Sequence, residues 1–235
     1  TNTSGPKSQF DQATYLPLPD LLATCDVIIL AIKPQQLPAV ASQLKAANLA
    51  DTCIVSLLAG VELSTLQSIL PQCDHMLRVM PNVAAEVNQS ATVYSKLASC
   101  SYHFETFLTK CFSTTGLFIP IAESQMAVCT AMFGSGPAFF YQLLDHCEQF
   151  LTKNNLTQQQ SRHLLIQLLK GVAASLEKRS TTQLDTLINE VTSPNGTTQA
   201  GLTTFTQANL GQLWTTVLQA AANRSEELSK EIKLD

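Results

Sequence analysis

The stretch DVIILAIKPQ, residues 26–35, decides the fold class of this chain. It opens with a nearly all-apolar run rich in β-branched side chains, which is typical of a strand buried on both faces of a parallel sheet. Lys33 and Pro34 end the strand, and residues 37–49 then place apolar side chains at helical spacing, with Pro38 tolerated in the first turn. The sequence therefore predicts a strand followed by a covering helix.

The same alternation of strand and helix continues to about residue 124. It predicts further strands and helices, with strands at 53–58, 76–80, 91–94 and 117–121 and helices at 62–70 and 102–114. Alternation of this kind is typical of a parallel sheet covered by helices. We therefore predict a Rossmann-like α/β domain over residues 1–124.

Strand patterns stop near Ser124, and residues 125–235 show only helical periodicity. The predicted helices cover 137–152, 184–189, 197–207 and 211–230. A further long helix is predicted between the first two and runs to about residue 178. Thr157 and Gln160 form a capping box before the long helix. Because these helices are too apolar for one small domain to cover, we predict an all-α domain that intertwines with a second copy.

Composition narrows the class of protein. Charged residues make up only 14% of the chain and the net charge is −4, which argues against a nucleic-acid partner. The seven cysteines are scattered without a CxxC pair, and no apolar run is long enough to cross a bilayer. The four histidines lack metal-ligand spacing, so we expect no metal site. These features predict a cytoplasmic protein with reduced thiols.

Three short segments should meet at one edge of the predicted sheet. Residues 31–34, 56–60 and 80–82 each follow a predicted strand, and ligands of open α/β sheets bind where the carboxyl ends of the strands meet. Small residues there let a flat ring or a sugar approach the backbone, and Lys33 and Asn82 add polar groups. The alternative is that Gly60 and Pro81 only turn the chain.

The segment VTSPNGTTQAGL, residues 191–202, predicts a second binding site. A tight turn that runs directly into a helix points backbone amides at the positive end of that helix, which suits a small carboxylate. Thr197 and Thr198 add hydroxyls for a second polar atom. The alternative is an ordinary helix N-cap.

The fingerprint GxGxxG of dinucleotide-binding folds is absent from the sequence. The chain starts at Thr1 without methionine, and its first regular elements are typical of the middle of a fold. We therefore expect that the first strand and the glycine-rich turn precede Thr1. Asn2, Thr3, Ser4 and Lys7 would then lie at the end of the second strand, where hydroxyls and cations favour NADP over NAD.

Five stretches carry a resemblance to a known family: DVIILAIKPQ at 26–35, VSLLAGV at 55–61, RVMPN at 78–82, GSGPA at 134–138 and VTSPNGTTQAGL at 191–202. On these motifs the chain resembles pyrroline-5-carboxylate reductase, from about residue 20 to 228. The resemblance implies NADPH- or NADH-dependent reduction of the cyclic imine 1-pyrroline-5-carboxylate to L-proline, the last step of proline biosynthesis. It also implies a homodimer that often assembles into a decamer.

The resemblance also assigns residues. Val191, Ser193, Gly196, Thr197 and Thr198 would bind the substrate, with its carboxylate on the amides around Gly196 and Thr197. Thr198 would be catalytic, by hydrogen bonding to the ring nitrogen and helping to polarise or protonate the imine. The implied cofactor-binding residues are Asn2, Thr3, Ser4, Ala31, Lys33, Leu58, Ala59 and Asn82.

The chain departs from the family pattern at three places. Asn195 stands where the family usually has a second glycine, and asparagine tolerates a left-handed backbone better than most residues. Leu18 replaces an asparagine near the adenosine ribose, and residues 180–182 replace a stretch that usually carries an acid.

Two other functions stay open at this point. One is a hydroxyacid or prephenate-type dehydrogenase, which would place a catalytic lysine or histidine in the helical domain. His146, His163 and Lys170 are the candidates there, but they lie on plain amphipathic helices. The other is a truncated, non-catalytic or cofactor-impaired homologue that acts as an oligomeric interaction protein.

Overall fold

The computed structural model of the protein describes residues 14–231. The chain separates into two compact units, one formed by the residues up to Ser135 together with those from Gln219 onward, and one formed by Gly136–Leu218. The division predicted after residue 124 concerns domain organisation and remains a prediction.

A five-stranded sheet forms the centre of the first unit. Its strands are β1 (Val27–Leu30), β2 (Cys53–Ser56), β3 (His75–Met80), β4 (Ser90–Lys96) and β5 (Gly116–Pro120), and they lie side by side in chain order. The pairs β1–β2, β2–β3 and β4–β5 are parallel, and β3–β4 is antiparallel. The sheet is therefore mostly parallel, as the Rossmann-like prediction requires.

The antiparallel pair corrects the expectation of an all-parallel sheet. Residues 81–89, which join β3 to β4, hold only the short 3₁₀ segment Val83–Val87. A parallel connection needs a crossover of a dozen or more residues, so this link can only reverse the chain. The turn closes at Asn88, which adopts a left-handed backbone with φ of 57°.

Helices cover the two faces of the sheet. They are α1 (Leu18–Thr24), α2 (Leu37–Ala46), α3 (Leu63–Ile69), α4 (Tyr102–Phe112) and α5 (Met126–Cys129). One apolar core contains Leu37, Leu44 and Leu66, and a second core contains Leu77 and Leu108. Helix α1 was not predicted; it begins at Leu18, whose side chain packs against the first core.

The second unit is helical, as predicted. It contains α6 (Gly136–Lys153), α7 (Gln158–Lys178), α8 (Leu184–Glu190), α9 (Thr197–Gln207) and the first part of α10 (Leu210–Glu231). Helix α7 starts with the predicted capping box, in which the amide of Gln160 donates to Thr157 Oγ1 and the amide of Thr157 donates to Gln160 Oε1.

Helix α7 exposes a line of apolar side chains. Leu164, Leu168, Val172 and Leu176 follow one another at four-residue spacing, and each is between 42% and 61% exposed. Side chains at this spacing lie on one face of a helix, so the face forms a continuous apolar stripe. No helix within residues 14–231 combines the length and the hydrophobicity that a membrane crossing requires.

Candidate active site

The carboxyl ends of β1, β2 and β3 lie at one edge of the sheet. Leu30 pairs with Ser56, and Ser56 pairs with Arg78 on the next strand, so the ends of the three parallel strands are in register. The segments after these strands carry Ala31 and Lys33, Leu58 and Ala59, and Asn82. The structure therefore brings these five predicted cofactor residues to the same edge.

The segment after β1 leaves the ammonium group of Lys33 free for a ligand. Ala31 and Lys33 are exposed, and the amide of Ala31 donates to Ile29 O in a tight turn. The amide of Lys33 donates to Gln36 Oε1 and so opens the 3₁₀ turn Pro34–Gln36. Within residues 14–231 the Lys33 ammonium makes no ion pair, so it can meet a phosphate.

The segment after β2 offers backbone rather than side chains. Leu58 is only 2% exposed because its side chain belongs to the apolar core, and its amide donates to Ser56 Oγ. Ala59 is half-buried, and Gly60 has a left-handed φ of 76°. A Cβ added at Gly60 would lie 2.9 Å from Leu228 Cβ on α10, so only glycine fits here.

The segment after β3 uses Asn82 to turn the chain. Its Oδ1 accepts the amide of Ala84, and its own amide donates to Ser90 Oγ at 3.1 Å. One lone pair of the side-chain oxygen is used in this cap, so the second lone pair and the NH₂ group remain for a ligand. Asn2, Thr3 and Ser4, the other predicted cofactor residues, lie outside the described residues, as does Lys7.

The second predicted site lies between α8 and α9. Val191 is 68% exposed directly after α8, and the Thr192 hydroxyl donates to Ile188 O at 2.7 Å. The amide of Gly196 donates to Ser193 O and closes a tight turn. Asn195 has a φ of 58°, so asparagine does adopt the left-handed backbone expected in place of glycine.

Gly196 and Ser193 pack together inside this turn. A Cβ added at Gly196 would overlap Ser193 Oγ, which explains why glycine precedes the helix. The amide of Asn195 donates to Gln199 Oε1 at 2.6 Å, so the first turn of α9 reaches back and fixes the loop. Gly196 and the hydrogen bond from Asn195 to Gln199 together stabilise the conformation of the loop.

The start of α9 presents unused donors. In the described part of the chain, no acceptor meets the amides of Thr197 and Thr198, and α9 has no side-chain cap. The hydroxyls of Ser193, Thr197 and Thr198 likewise make no hydrogen bond there. Free amides at the positive end of a helix attract an anion, so this arrangement can hold a small carboxylate.

An ion pair steadies the approach to this loop. Arg179, just after α7, donates to both carboxylate oxygens of Glu190 at the end of α8, each at 2.6 Å. The hydrogen bonds from Arg179 lower the pKa of Glu190 below its ordinary value. Helix α8, which leads into the loop, is thereby tied to the end of α7.

The described residues hold no cluster of histidine, cysteine or acidic side chains that suits a metal ion. All seven cysteines lie in the described part of the chain and are free thiols. His146 and His163 are exposed on α6 and α7. Neither histidine belongs to the segments 31–34, 56–60, 80–82 and 191–202 that carry the two predicted sites.

Known proteins match the chain over most of its length. Pyrroline-5-carboxylate reductase of Haemophilus influenzae is 31% identical over 204 residues, which is 86% of this chain and 75% of that protein. Pyrroline-5-carboxylate reductase 1 of Bacillus spizizenii is 34% identical over 208 residues, 88% of this chain and 70% of that protein. The chain belongs to the pyrroline-5-carboxylate reductase family.

Two family descriptions also match separate parts of the chain. "Pyrroline-5-carboxylate reductase dimerisation" covers residues 123–228, and "NADP oxidoreductase coenzyme F420-dependent" covers residues 7–60. The crystal structure of Plasmodium falciparum pyrroline carboxylate reductase, with NADP bound, superposes with a TM-score of 0.86 at 24% identity, over 96% of this chain and 86% of that chain. This last similarity supports the fold: a Rossmann-like domain followed by a helical dimerisation domain.

One polar contact at the sheet was missed by the sequence reasoning. Arg78, on β3, is buried and pairs with Glu123. An arginine inside an otherwise apolar strand does signal a buried counter-ion, since charges are rarely buried unpaired. The sequence could not identify the partner, because the two residues are 45 positions apart.

Proposed function

We propose that this reductase-family chain reduces 1-pyrroline-5-carboxylate to L-proline with NADPH or NADH, the last step of proline biosynthesis. The observation that carries the proposal is the start of α9. Free amides of Thr197 and Thr198 and the free hydroxyls beside them stand in the motif that matches the family. A cyclic imine with a carboxylate has groups suited to both kinds of donor.

The carboxylate of the substrate is held by the free amides of Thr197 and Thr198, because the Gly196 amide already donates to Ser193 O. An anion at a helix N-terminus gains from the helix dipole and from direct N–H bonds. Ser193 Oγ adds a further donor next to Gly196. Val191 stands exposed at the mouth of the loop and supplies apolar contact for the ring.

Thr198 is the catalytic residue in this proposal. Its hydroxyl makes no bond to the protein within the described residues, so it is free to donate to the ring nitrogen. A hydrogen bond to that nitrogen draws electrons from the carbon–nitrogen double bond and makes its carbon a better hydride acceptor. The hydroxyl acts by position, because a threonine needs no pKa shift to donate.

The residues at the sheet edge fit a dinucleotide. Ala31 is exposed, Ala59 is half-buried and Gly60 carries no side chain, so a flat ring or a ribose can lie against the backbone. Lys33 supplies a cation for phosphate, and the Asn82 NH₂ group supplies a donor. Leu58 takes part through its backbone. Bound NADPH or NADH would supply the hydride.

The preference for NADPH rests on Asn2, Thr3 and Ser4, whose hydroxyl and amide groups suit a 2′-phosphate better than a 2′-hydroxyl. We also propose a homodimer that assembles further into a decamer, and a cytoplasmic location. The apolar stripe on α7 supports the dimer, and the free thiols support a reducing compartment. No membrane or nucleic-acid partner is proposed.

The test is turnover by the purified protein that carries this sequence. NADPH oxidation is followed at 340 nm with pyrroline-5-carboxylate, and proline is measured by amino-acid analysis; we expect one proline formed for each NADPH consumed. Reduction of NAD⁺ or NADP⁺ with prephenate, or NADPH oxidation with a 2-oxo acid, would instead support the dehydrogenase alternative. NADPH binding with no turnover of any of these would support a non-catalytic protein, and either result would overturn the proposal.

A further inference from the structure

An ion pair between a buried arginine and a partly exposed glutamate lies next to the predicted cofactor edge of the sheet. The Arg78 side chain is 7% exposed, and its Nη1 donates to Glu123 Oε1 at 2.8 Å. The same carboxylate oxygen accepts the backbone amide of Leu63 at 3.2 Å. One oxygen of Glu123 therefore joins β3, the start of α3 and the segment before α5.

Two partners of this contact lie next to the predicted cofactor edge. Arg78 is two residues before the end of β3 and four before Asn82, and it pairs in the sheet with Ser56, the last residue of β2. Leu63 ends the connection that carries Ala59 and Gly60. The contact thus lies at both ends of the segment after β2 and at the start of the segment after β3.

Glu123 accepts the first amide of α3, which no side chain close to it in sequence accepts. Glu62 stands at the N-cap position of α3, but its side chain makes no cap bond and instead accepts from the Ser64 hydroxyl. The carboxylate of Glu123, 60 residues away, takes its place. Such a bond orients the helix and the connection before it, because it fixes the first helical amide.

The pair depends on both charges. Glu123 Oε2 is buried and has no hydrogen-bond partner among residues 14–231, so the charge of that carboxylate is balanced chiefly by Arg78. Removing Glu123 would leave Arg78 as a buried, uncompensated charge, and removing Arg78 would leave the 31% exposed Glu123 carboxylate without its counter-ion. Nearby segments would move to relieve either charge. The segments free to move are those that carry Ala59 and Asn82.

We infer that Arg78 and Glu123 are positioning residues for the nicotinamide cofactor: their ion pair, with the Leu63 amide, holds the segments after β2 and β3 in the arrangement that binds it. The inference rests on the proposed function where its test uses kcat and KM. Neither side chain needs to touch the dinucleotide. The pair acts as a rigid support behind the binding edge, as binding residues require.

Three variants test the inference. Glu123→Gln keeps an acceptor for the Leu63 amide but removes the negative charge. Arg78→Lys keeps the positive charge but loses the planar guanidinium group, and Arg78→Met removes the charge and the guanidinium group. For Glu123→Gln we expect the Kd for NADPH, measured by protein fluorescence, to rise about ten-fold, a typical size for residues that act on a site through others. The KM for NADPH should rise in parallel, while kcat and the KM for the imine stay within about two-fold.

The controls separate positioning from general destabilisation. Arg179→Met breaks an exposed ion pair in the helical unit and should leave the NADPH Kd unchanged. The Arg78→Met, Glu123→Gln double variant should lose no more affinity than the worse single variant, because the two residues act as one unit. Arg78→Lys should recover part of the affinity. If Arg78→Met fails to fold, Glu123→Gln and Arg78→Lys carry the test.

Two outcomes would overturn the inference. One is a folded Glu123→Gln protein with a lower Tm but the wild-type NADPH Kd, since that is the result of a purely structural pair. The other is a fall in kcat with no change in cofactor affinity. The Kd is measured without turnover. A protein that binds NADPH but does not reduce the imine would therefore contradict the proposed function, while the NADPH Kd values of the variants would still test this inference.

Discussion

Short hydroxyl side chains, rather than titratable groups, carry the proposed chemistry of this chain. The hydroxyls of Thr198, Thr197 and Ser193 make no hydrogen bonds within the described residues, although most other threonine hydroxyls of α9 and α10 bond back to their own helix. A hydroxyl that is not satisfied internally is available to a ligand. The sequence could point to these residues because the turn chemistry around Gly196 is local.

Other residue-level features could not be read from the sequence. The Asn82 oxygen uses one lone pair to accept from Ala84, and Leu58 turns its side chain into the core. Both residues were predicted as cofactor contacts from the family resemblance and from their place at the carboxyl end of a strand. Which atoms remain free depends on three-dimensional neighbours, and periodicity carries no information about them.

The ion pair between Glu148 and Arg162 gives a prediction about pH. Hydrogen bonds from Arg162 and Gln158 lower the pKa of Glu148 below its ordinary value. A carboxylate with a lower pKa in the folded protein stabilises the fold above its unfolded-chain pKa, and this stabilisation is lost as the pH falls through the folded pKa. Glu148→Gln should therefore lower the Tm at pH 7. The difference in Tm between this variant and the wild type should shrink progressively as the pH falls below about 4.3.

Thermal unfolding of both proteins between pH 3 and pH 8 measures that gap. Glu177→Gln, on the exposed surface of α7 and outside any ion pair of the described residues, is the matched control and should show little gap at any pH. A gap for Glu148→Gln that stays constant from pH 8 to pH 3 would rule out the ion pair as its cause.

Most helices could be predicted to within one or two residues because their signals are local. Helix α9 occupies 197–207 as predicted, and α7 begins at its capping box. The direction of β4 and the presence of α1 were not predicted. Strand direction depends on which strands pair, and α1 is a short segment whose apolar side chains pack against the folded core.

The capping box of α7 supports a prediction at this scale. Thr157 Oγ1 accepts the amide of Gln160, which otherwise has no partner at the start of the helix. Thr157→Ala should lower the free energy of unfolding by about 1 kcal/mol, and Thr157→Ser should lower it by much less because it keeps the hydroxyl. Urea denaturation followed by circular dichroism measures both. Equal losses for the two variants would show that the methyl group, not the cap, matters.

At the scale of the whole molecule, the helical unit carries apolar surface that residues 14–231 leave exposed. The stripe from Leu164 to Leu176 on α7 lies in the region that matches the family dimerisation description. Apolar surface of this extent is typical of a subunit interface rather than of a monomer. The prediction from composition, that these helices need a second copy, has the same physical basis.

A charge placed in this stripe should separate the subunits. Leu168→Glu puts a carboxylate where the partner would bury an apolar side chain, and a buried unpaired charge is strongly unfavourable. We expect sedimentation or light scattering to show a shift towards monomer, while Gln167→Glu, on the neighbouring position of α7, leaves the assembly intact. An unchanged mass for Leu168→Glu would place the interface elsewhere.

We propose that the start of α9 binds and activates the cyclic imine, and substitution of Thr198 is the sharpest test of this role. The measurement is kcat/KM for pyrroline-5-carboxylate at saturating NADPH, for wild type, Thr198→Ala and the control Thr203→Ala on the same helix. Loss of one oriented donor costs about 2.7–4 kcal/mol, so the account predicts a fall of roughly 10²–10³-fold for Thr198→Ala and almost none for Thr203→Ala. Equal turnover by wild type and Thr198→Ala would contradict the account.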